Sequence, residues 1–543
     1  MRSLLLLLLL SLACTADPLV RHQDLGTITL MGSTEGPEIL ELEFEVEPGE
    51  DQGPIYTFVT CGSLAVHTVQ DRERSWERLQ LVASRIDYTR RSWRGRSPYI
   101  DIPAEETDGC QEYELRFINH GENTAYGHVE VELVEPEGAS VRIVHNTPDC
   151  TDCDDRAGEL RQELLGAIQG ARETLDVAIY GIDDEEVVDA ICEAAGSGIR
   201  VRVISDDVSE EEGGEYHDAL YGYEGIASCG AQVEAVRASG LMHHKFLIVD
   251  AHGERPLVVT GSTNFTRAGF EENHNHMVFL RGNAELALQY EAEMDQLVRH
   301  CASERLDDRT CGECTPSCVE DHSEEGPFLF ESAAGEEDVT ALAYFSLSDD
   351  PLQVLRGDVR TEMFEAPDAA CSAEDADCTC RASGSRFKCS YCGLVDGDAP
   401  SPQYGLIGEA HERVMVSMYA ATDECFGVAL RHAQRRGVEV VTVWDYVNAG
   451  SPYSRDEYIC ESGIPTYIAE WGHRAQVRNH NKLVVADDVV FTGSLNLSGN
   501  ATTRNNENTL VLRSAALADQ MSAYVHSEVE LLAERGVTQH CSE

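Results

Sequence analysis

The sequence predicts an α/β fold in which two pseudo-symmetric α/β/α lobes follow an all-β, sandwich-like domain. Three observations support this prediction: apolar and acidic residues alternate up to about residue 134, an internal repeat recurs after 239 residues, and one short polar motif occurs once in each repeat. A chain of 543 residues, of which 42% are hydrophobic, is long enough for three or four domains with cores of their own.

Residues 1–16 are predicted to be an export signal. Seven consecutive leucines follow Met1-Arg2-Ser3 and precede small residues, which is the order of a signal peptide, and the apolar run is too short to span a membrane. The segment is similar to a bacterial lipoprotein signal with Cys14 as the lipidated residue, and cleavage after Ala16 is the alternative. In both cases we expect an exported protein, either extracellular or attached to the cell envelope.

Charge and cysteine content limit the substrate classes and the compartment that fit this chain. The formal net charge of −56 predicts a surface that repels polyanions, which counts against a nuclease. Setting Cys14 aside leaves 18 of the 19 cysteines, an even number that fits disulfides in an exported chain. The pairs Cys311/Cys314 and Cys389/Cys392 also have a spacing found in zinc sites, but we favour disulfides in this compartment.

Residues 17–137 are predicted to form the all-β domain. Between residues 40 and 46 four apolar residues alternate with three glutamates, the pattern of a half-buried strand with an acidic outer face. Arginines and aromatic residues are interleaved from residue 72 to 99. This stretch is either a solvated face or a patch that contacts lipid headgroups or another polyanion. A disulfide is expected between Cys61 and Cys110.

From residue 138 onward the chain contains a repeat. Ala171–Tyr180 aligns with Ala410–Tyr419, and Gly198–Val201 aligns with Gly437–Val440 at the same offset without a gap. Each half is therefore predicted to run helix, strand, helix, strand and then the strand that carries the motif. Val141–His145 and Leu342–Ser346 are predicted to be the opening strands of the two halves.

The first lobe is predicted at residues 138–305 and the second at 401–543. Residues 306–400 are predicted to hold a linker, the first strand of the second lobe and a cysteine-rich, disulfide-linked insertion. Equivalent cysteines predict one disulfide in each lobe, Cys192–Cys229 and Cys425–Cys460.

A short polar motif marks a predicted strand in each lobe. A His, a Lys two residues later and an Asp five beyond that surround four mostly apolar residues: His243, Lys245 and Asp250 in the first copy, and His480, Lys482 and Asp487 in the second. Because successive side chains of a strand point to opposite faces, we expect the His and Lys of each copy to project from the same side. Each motif is followed by Gly-Ser and an Asn: Ser262 and Asn264, then Ser494 and Asn496.

Lysine is rare in this chain. It occurs at residues 245, 388 and 482, so 38 of the 41 basic residues are arginine. A compact ammonium group at both motif positions indicates a chemical constraint, since Arg and Lys are not interchangeable at a phosphate site. Two imidazoles and two ammonium groups in one pocket suit a tetrahedral phosphate, because one His can attack while the other protonates the leaving oxygen.

The paired motif resembles that of the phospholipase D superfamily, H-x-K-x4-D followed by Gly-Ser and an Asn, over roughly the last 400 residues. The resemblance implies one active site between the lobes, in which His243 is the nucleophile that forms a phosphohistidine and His480 is first the general acid and then the base. It implies no metal or other cofactor. It also implies that the phosphate oxygens are bound by Lys245, Lys482, Asn264 and Asn496, supported by Ser262 and Ser494. Ten residues separate Asp250 from Gly261 instead of about six, which we interpret as a longer hairpin.

Glu507, within Asn506-Glu507-Asn508, matches the position of the acceptor that would hold the far nitrogen of the nucleophilic imidazole, and it is expected to reach His243. Its counterpart in the first half is predicted to be His274. Asp250 and Asp487 complete the set of catalytic-motif residues, and we expect structural roles for them near the strand end rather than proton transfer.

The sequence therefore predicts a phospholipase D type phosphodiesterase that hydrolyses the headgroup phosphodiester of phospholipids at a membrane surface. Because two lobes of one chain form one site, a monomer is expected. Two alternatives stay open: an endonuclease of the same superfamily, with nucleic acid a less favoured substrate, and a catalytically inactive binding or scaffold protein of the envelope.

Overall fold

The computed structural model describes nine strands between residues 29 and 134 and, beyond them, residues 139–146, 159–206, 217–236, 240–253, 255–301, 326–330, 338–364, 378–383, 386–393, 404–470 and 477–541. The chain forms two compact units. One comprises Met1–Gly138 and Gln162–Gly170, and the other comprises Ala139–Arg161 and Ala171–Glu543.

Residues 29–134 of the amino-terminal unit form two β-sheets, so the prediction of an all-β domain in this part of the chain is confirmed. Its strands are β1 (Thr29–Met31), β2 (Glu38–Val46), β3 (Ile55–Thr60), β4 (Ser63–Thr68), β5 (Leu79–Arg85), β6 (Arg90–Arg94), β7 (Tyr99–Ile102), β8 (Gln111–Asn119) and β9 (Ala125–Val134). One sheet has the order β1-β3-β8-β5-β6 and the other the order β2-β9-β4-β7. The predicted signal segment and the predicted Cys61–Cys110 disulfide lie outside the described residues.

The first lobe is a seven-stranded mixed sheet in the order β10-β16-β15-β14-β11-β12-β13. Its elements are β10 (Ser140–His145), α1 (Glu159–Gly170), β11 (Thr174–Ile179), α2 (Glu185–Gly196), β12 (Arg200–Asp206), α3 (His217–Ser228), β13 (Gln232–Val236), β14 (Lys245–Val249), β15 (Leu257–Gly261), α4 (Arg267–Glu271), β16 (His276–Arg281) and α5 (Ala284–Cys301). The strands β11, β12 and β13 are parallel, whereas the motif strand β14 runs antiparallel to β11.

The second lobe repeats this order with one extra edge strand, β17-β18-β27-β26-β25-β22-β23-β24. Its elements are β17 (Phe328–Phe330), β18 (Val339–Ser346), α6 (Pro351–Arg356), β19 (Val359–Phe364), β20 (Cys378–Ser383), β21 (Arg386–Cys392), α7 (Gly405–Glu409), β22 (Arg413–Met418), α8 (Glu424–Arg435), β23 (Glu439–Asp445), α9 (Tyr446–Ala449), α10 (Asp456–Glu461), β24 (Thr466–Ala469), β25 (Lys482–Ala486), β26 (Val489–Gly493), α11 (Gly499–Thr503), β27 (Glu507–Arg513) and α12 (Ala515–Glu534). The prediction of two pseudo-symmetric lobes is confirmed.

The repeat predicted from the sequence extends to individual caps. The strands β11 and β22, the helices α2 and α8 and the strands β12 and β23 begin 239 residues apart. Asp184 and Asp423 stand at equivalent N-cap positions, and their side chains accept the backbone N–H groups of Val187 and Phe426. A capping carboxylate satisfies a donor that the helix itself cannot pair, so these two aspartates fix where each helix begins.

The predicted order of elements was incomplete. In each lobe a further helix and an edge strand, α3 with β13 and α10 with β24, lie between the second repeat strand and the motif strand. The sequence signal was weak here because β13 is only partly buried along most of its length. The longer hairpin of the first lobe is confirmed, since β14 and β15 are joined by residues 250–256 and β25 and β26 by residues 487–488.

Both motif strands lie in the middle of their sheets. All five residues of β14 and all five of β25 are buried. Strands covered on both faces carry near-continuous apolar runs, which explains Phe-Leu-Ile-Val and Leu-Val-Val-Ala after the two lysines. One hydrophobic core contains residues of both lobes, among them Phe246, Tyr290, Leu483 and Tyr524, so the two lobes are packed against each other.

The disulfide prediction is right in the first lobe and wrong in the second. Cys192 pairs with Cys229, as expected. Cys425 on α8 pairs with Cys392 at the end of β21, and Cys460 on α10 pairs with Cys541. The insertion forms a three-stranded sheet of β19, β21 and β20, and this sheet brings Cys392 to α8. A disulfide between Cys380 and Cys389 lies within the same sheet.

Among the described helices, none combines the length and the apolar character needed to cross a membrane.

Candidate active site

Each motif histidine lies just before its strand, held by the other lobe. The strands begin at Lys245 and Lys482, so the predicted strand that includes the histidine is too long by two residues. The backbone N–H of His243 donates to the carbonyl of Asn506 at 2.8 Å, and that of His480 donates to the carbonyl of His274 at 3.0 Å. The position of each imidazole therefore depends on both lobes.

The two lysines are buried beside the histidines. Lys245 and Lys482 are each 1% exposed. Each Nζ donates to the backbone carbonyl of the histidine two residues earlier, at 2.9 Å in both lobes. An ammonium group carries three donors, so this contact leaves capacity for phosphate oxygens.

Glu507 reaches across the lobe boundary to His243. Its Oε2 lies 2.7 Å from Nδ1 of His243. The hydroxyl of Ser494 donates to the same oxygen at 2.6 Å. Because the carboxylate accepts the proton on Nδ1, the lone pair of His243 is left on Nε2, the nitrogen free to attack phosphorus. The contact that the sequence placed at Glu507 thus runs between the lobes.

The counterpart of Glu507 is Asn275, and the prediction of His274 was wrong by one position. Bridges pair Met242 with Asn506 and Asn479 with His274, which makes His274 the equivalent of Asn506. Oδ1 of Asn275 lies 3.0 Å from Nδ1 of His480.

The serines after each motif hold these partners. Ser262 donates from its hydroxyl to the Oδ1 of Asn275 at 3.0 Å, as Ser494 does to Glu507. The sequence assigned both serines to the phosphate site. Their observed contacts are with the groups that orient the imidazoles.

The glycines before these serines are required by close packing. Gly261 and Gly493 have φ of 145° and 143°. A Cβ at either position would collide with a backbone carbonyl oxygen, that of His276 or that of Asn508. Glycine therefore lets the strands β15 and β26 run close against their neighbours, which brings Ser262 and Ser494 to the imidazole partners.

The two asparagines predicted to bind phosphate have an unsatisfied acceptor. Oδ1 of Asn264 and Oδ1 of Asn496 are both buried without a hydrogen-bond partner in the described part of the chain. A buried amide oxygen without a partner is unfavourable unless a ligand or water satisfies it. The same unpaired atom at equivalent positions of the two lobes indicates a shared requirement of the site.

The motif aspartates lie at the opposite end of their strands from the lysines. The carboxylate of Asp250 accepts three backbone N–H groups, from Arg172, Glu173 and Thr174. Asp487 makes the equivalent three contacts, with residues 411–413. Each Asp lies five positions after its Lys, so about 17 Å of extended chain separates the two residues. Both aspartates therefore lie away from the histidines and lysines, and the contacts of their carboxylates agree with the structural role that the sequence predicted.

Burial shifts the pKa values of the ionisable groups in the site. Burial lowers the pKa of His243 well below its usual value, and the two lysine ammonium groups lower it further. Burial and the same ammonium groups lower the pKa of His480. Burial also lowers the pKa of Lys245 to about 7 and raises the pKa of Glu507 to about 7. A bound anion would favour the charged form of both lysines, so the pocket suits a phosphodiester.

Sequence reasoning missed one residue in each lobe. The ring centroid of Tyr180 lies 5.1 Å from that of His243, and the ring centroid of Tyr419 lies 4.8 Å from that of His480. The signal was present in the repeat, because both aligned ten-residue segments end on these tyrosines.

A group with metal-binding residue types lies elsewhere in the second lobe. In the described ranges, Cys460, His540 and Cys541 have ligand atoms close enough to share an ion. The two cysteines of this group are paired with each other as a disulfide.

A family model described as cardiolipin synthase, PLD-like domain matches residues 164–298 and 404–528, one segment in each lobe. Mitochondrial cardiolipin hydrolase of Chlamydomonas reinhardtii is 28% identical over 134 residues, which are 25% of this chain and 55% of the relative. Phospholipase D of Rickettsia bellii is 32% identical over 136 residues, 25% of this chain and 66% of the relative. The chain thus spans between half and two thirds of the length of these curated relatives.

Two solved structures are similar to the chain. Nuc, a phospholipase D family member from Salmonella typhimurium, is 21% identical with a TM-score of 0.25, over 30% of this chain and 96% of that one. Phosphatidylserine synthase of Haemophilus influenzae is 12% identical with a TM-score of 0.44, over 72% of this chain and 87% of that one.

Proposed function

The two α/β lobes of this chain belong to the phospholipase D superfamily, and from this premise we propose that the protein is a phosphodiesterase that hydrolyses the headgroup phosphodiester of phospholipids. The observation that carries the proposal is the symmetric site itself. Each lobe supplies a His, a buried Lys and an Asn with an unsatisfied Oδ1. Relatives named phospholipase D and cardiolipin hydrolase support a lipid substrate.

The two histidines divide the chemistry. In the first step Nε2 of His243 attacks phosphorus, the bond from phosphorus to the leaving oxygen breaks, and His480 gives its proton to that oxygen. In the second step His480 takes a proton from water, the water oxygen attacks phosphorus and the P–N bond breaks. The products are the headgroup alcohol and a phosphomonoester, and His243 is regenerated.

The different partners of the two imidazoles support this assignment. Attack by His243 leaves positive charge on its ring, and the carboxylate of Glu507 at Nδ1 stabilises that charge. An amide at Nδ1 of His480 stabilises an imidazolium less, so protonated His480 is the stronger acid. The buried lysines would bind the non-bridging oxygens in both steps.

We further propose that the chain acts as an exported monomer. The four described disulfides support an oxidising compartment. Both halves of the site come from one chain, so catalysis requires no second copy. The charge of −56 supports a membrane surface over a polynucleotide as the substrate.

The test is turnover by the purified full chain on phosphatidylcholine vesicles, phosphatidylethanolamine vesicles and single-stranded DNA, each with and without a chelator. The expected result is release of free headgroup alcohol, unaffected by the chelator and absent in His243→Ala. Cleavage of DNA alone would assign the site to a nuclease. Failure to cleave any of the three would favour a scaffold and overturn the proposal.

A further inference from the structure

A tyrosine in each lobe contacts both reactive groups of that lobe. Besides the imidazole contacts described above, Nζ of Lys245 lies 5.4 Å from the ring centroid of Tyr180, and Nζ of Lys482 lies 4.6 Å from that of Tyr419. Both distances are within the range in which an aromatic face attracts a cation. The two tyrosines are 239 residues apart, so the arrangement is part of the duplicated framework.

The backbone fixes where these rings stand. The N–H of Tyr180 donates to the carbonyl of His244 at 3.0 Å, and that of Tyr419 donates to the carbonyl of Asn481 at 2.7 Å. Each acceptor is the residue between the His and the Lys of the motif. Each ring is therefore held opposite the motif by main-chain contacts, which a side-chain substitution leaves intact.

The two ammonium groups need this support because few other groups offset their burial. Among the described residues, the titratable groups that face them are the other lysine of the pair together with His243, His276, His480, Glu507 and Asp445. In the part of the chain that the structure describes, the two ammonium groups thus lie near two carboxylates, one of which is hydrogen-bonded to an imidazole. An aromatic face attracts the cation without adding a charge that would repel a phosphate.

We propose that Tyr180 and Tyr419 are positioning residues, each of which holds the ammonium group and the imidazole of its own lobe in place for the phosphate of a bound diester. The proposal rests on the proposed function in needing a phosphodiester substrate, but not on that substrate being a lipid. The interaction is shorter in the second lobe, so Tyr419 has the larger effect.

The test compares Tyr→Phe and Tyr→Leu at both positions, with kcat/KM for the soluble diester bis(4-nitrophenyl) phosphate measured across pH. Phenylalanine keeps the ring and should stay within about twofold of the parent. Leucine removes the attraction that favours the charged lysine, so the alkaline limb should move down by roughly 0.5–1 pH unit, and kcat/KM at alkaline pH should fall about 3- to 10-fold. Tyr453→Leu, at a residue of the second lobe that is 60% exposed, is the matched control for Tyr419→Leu and should change neither quantity.

A purely structural role would lower kcat/KM equally at every pH, and that result would overturn the proposal. So would an equal loss in the Phe and Leu variants. If the parent cleaves no diester, binding of inorganic phosphate measured by calorimetry across pH replaces turnover, and the same downward shift is expected in the Leu variants. Cleavage of DNA but not of lipid would contradict the proposed lipid substrate, whereas the proposed role of the two tyrosines would still be tested by the pH profiles.

Discussion

The two lobes share a sheet order and a motif, yet they support their imidazoles with different groups. In the pair that includes His243 the partner of Nδ1 is a carboxylate, and in the pair that includes His480 it is an amide. Both partners come from the opposite lobe, and a serine hydroxyl holds each of them. The two lobes therefore share a symmetric scaffold, and one side-chain difference, Glu507 against Asn275, distinguishes the surroundings of the two imidazoles.

The largest effect on activity is expected when either imidazole is removed. His243→Ala and His480→Ala should each lower kcat by about 10³-fold or more, because each removes a group that takes part in both steps of the proposed mechanism. With a good leaving group such as 4-nitrophenol, His480→Ala should still form the phosphoenzyme and then fail to hydrolyse it. Intact-protein mass spectrometry measures that adduct. An adduct on the His243→Ala protein would reverse the assignment of roles.

A smaller effect is expected when the carboxylate alone is removed. Glu507→Gln gives both histidines an amide partner and should lower kcat by about 10²-fold or more, since the charge that develops on His243 loses its stabilisation. Rapid-mixing measurement of phosphoenzyme formation should locate the loss in the first step. Unchanged formation with slow hydrolysis would show that Glu507 serves the second step instead.

The reverse substitution gives both imidazoles a carboxylate partner. Asn275→Asp places a carboxylate at His480, which favours the imidazolium and raises the pKa of that ring. The protonated acid should then persist to higher pH, so the alkaline limb of kcat should move up, while kcat at its optimum should fall by up to about tenfold because the acid is weaker. The pH profile of kcat measures both changes. A shift of the alkaline limb to lower pH would contradict the proposal that the amide of Asn275 keeps His480 a strong acid.

The smallest effect on activity is expected at the motif aspartates. The hydrogen bonds from residues 411–413 outweigh burial and lower the pKa of Asp487. A carboxyl with a lowered folded-state pKa contributes stability above its unfolded value, and that contribution is lost as pH falls through the folded one. Asp487→Asn should therefore destabilise the fold by about 1–2 kcal/mol at pH 7, less near pH 3, with kcat little changed.

Urea unfolding at pH 7 and pH 3 measures the Asp487 effect, with Asp250→Asn as the matched variant of the first lobe. Both substitutions should cost a similar amount at pH 7, because both carboxylates accept three backbone N–H groups. A large loss of kcat without loss of stability would place the aspartates in the catalytic chemistry.

Sequence reasoning was most successful where the signal was local. The 239-residue repeat located equivalent strands and helices, and strand alternation identified the amino-terminal sheets, because both patterns can be recognised in short runs of neighbouring residues. It was less successful where partners are distant along the chain. The disulfide between Cys392 and Cys425 depends on the sheet of the insertion, which no short sequence pattern predicts. The partner of His480 was predicted one residue too early, because an alignment of three-residue segments does not fix which residues are equivalent.

The order of its residues alone determines that this chain is duplicated, that it carries two His-Lys-Asp motifs and that two of its three lysines lie in those motifs. Only the tertiary structure decided that each imidazole takes its partner from the other lobe, that the aspartates hold loops far from the lysines, and that Tyr180 and Tyr419 face the ammonium groups. The physical reason is that hydrogen bonds and cation–aromatic contacts act over a few ångströms in space, whatever the separation of their residues along the chain.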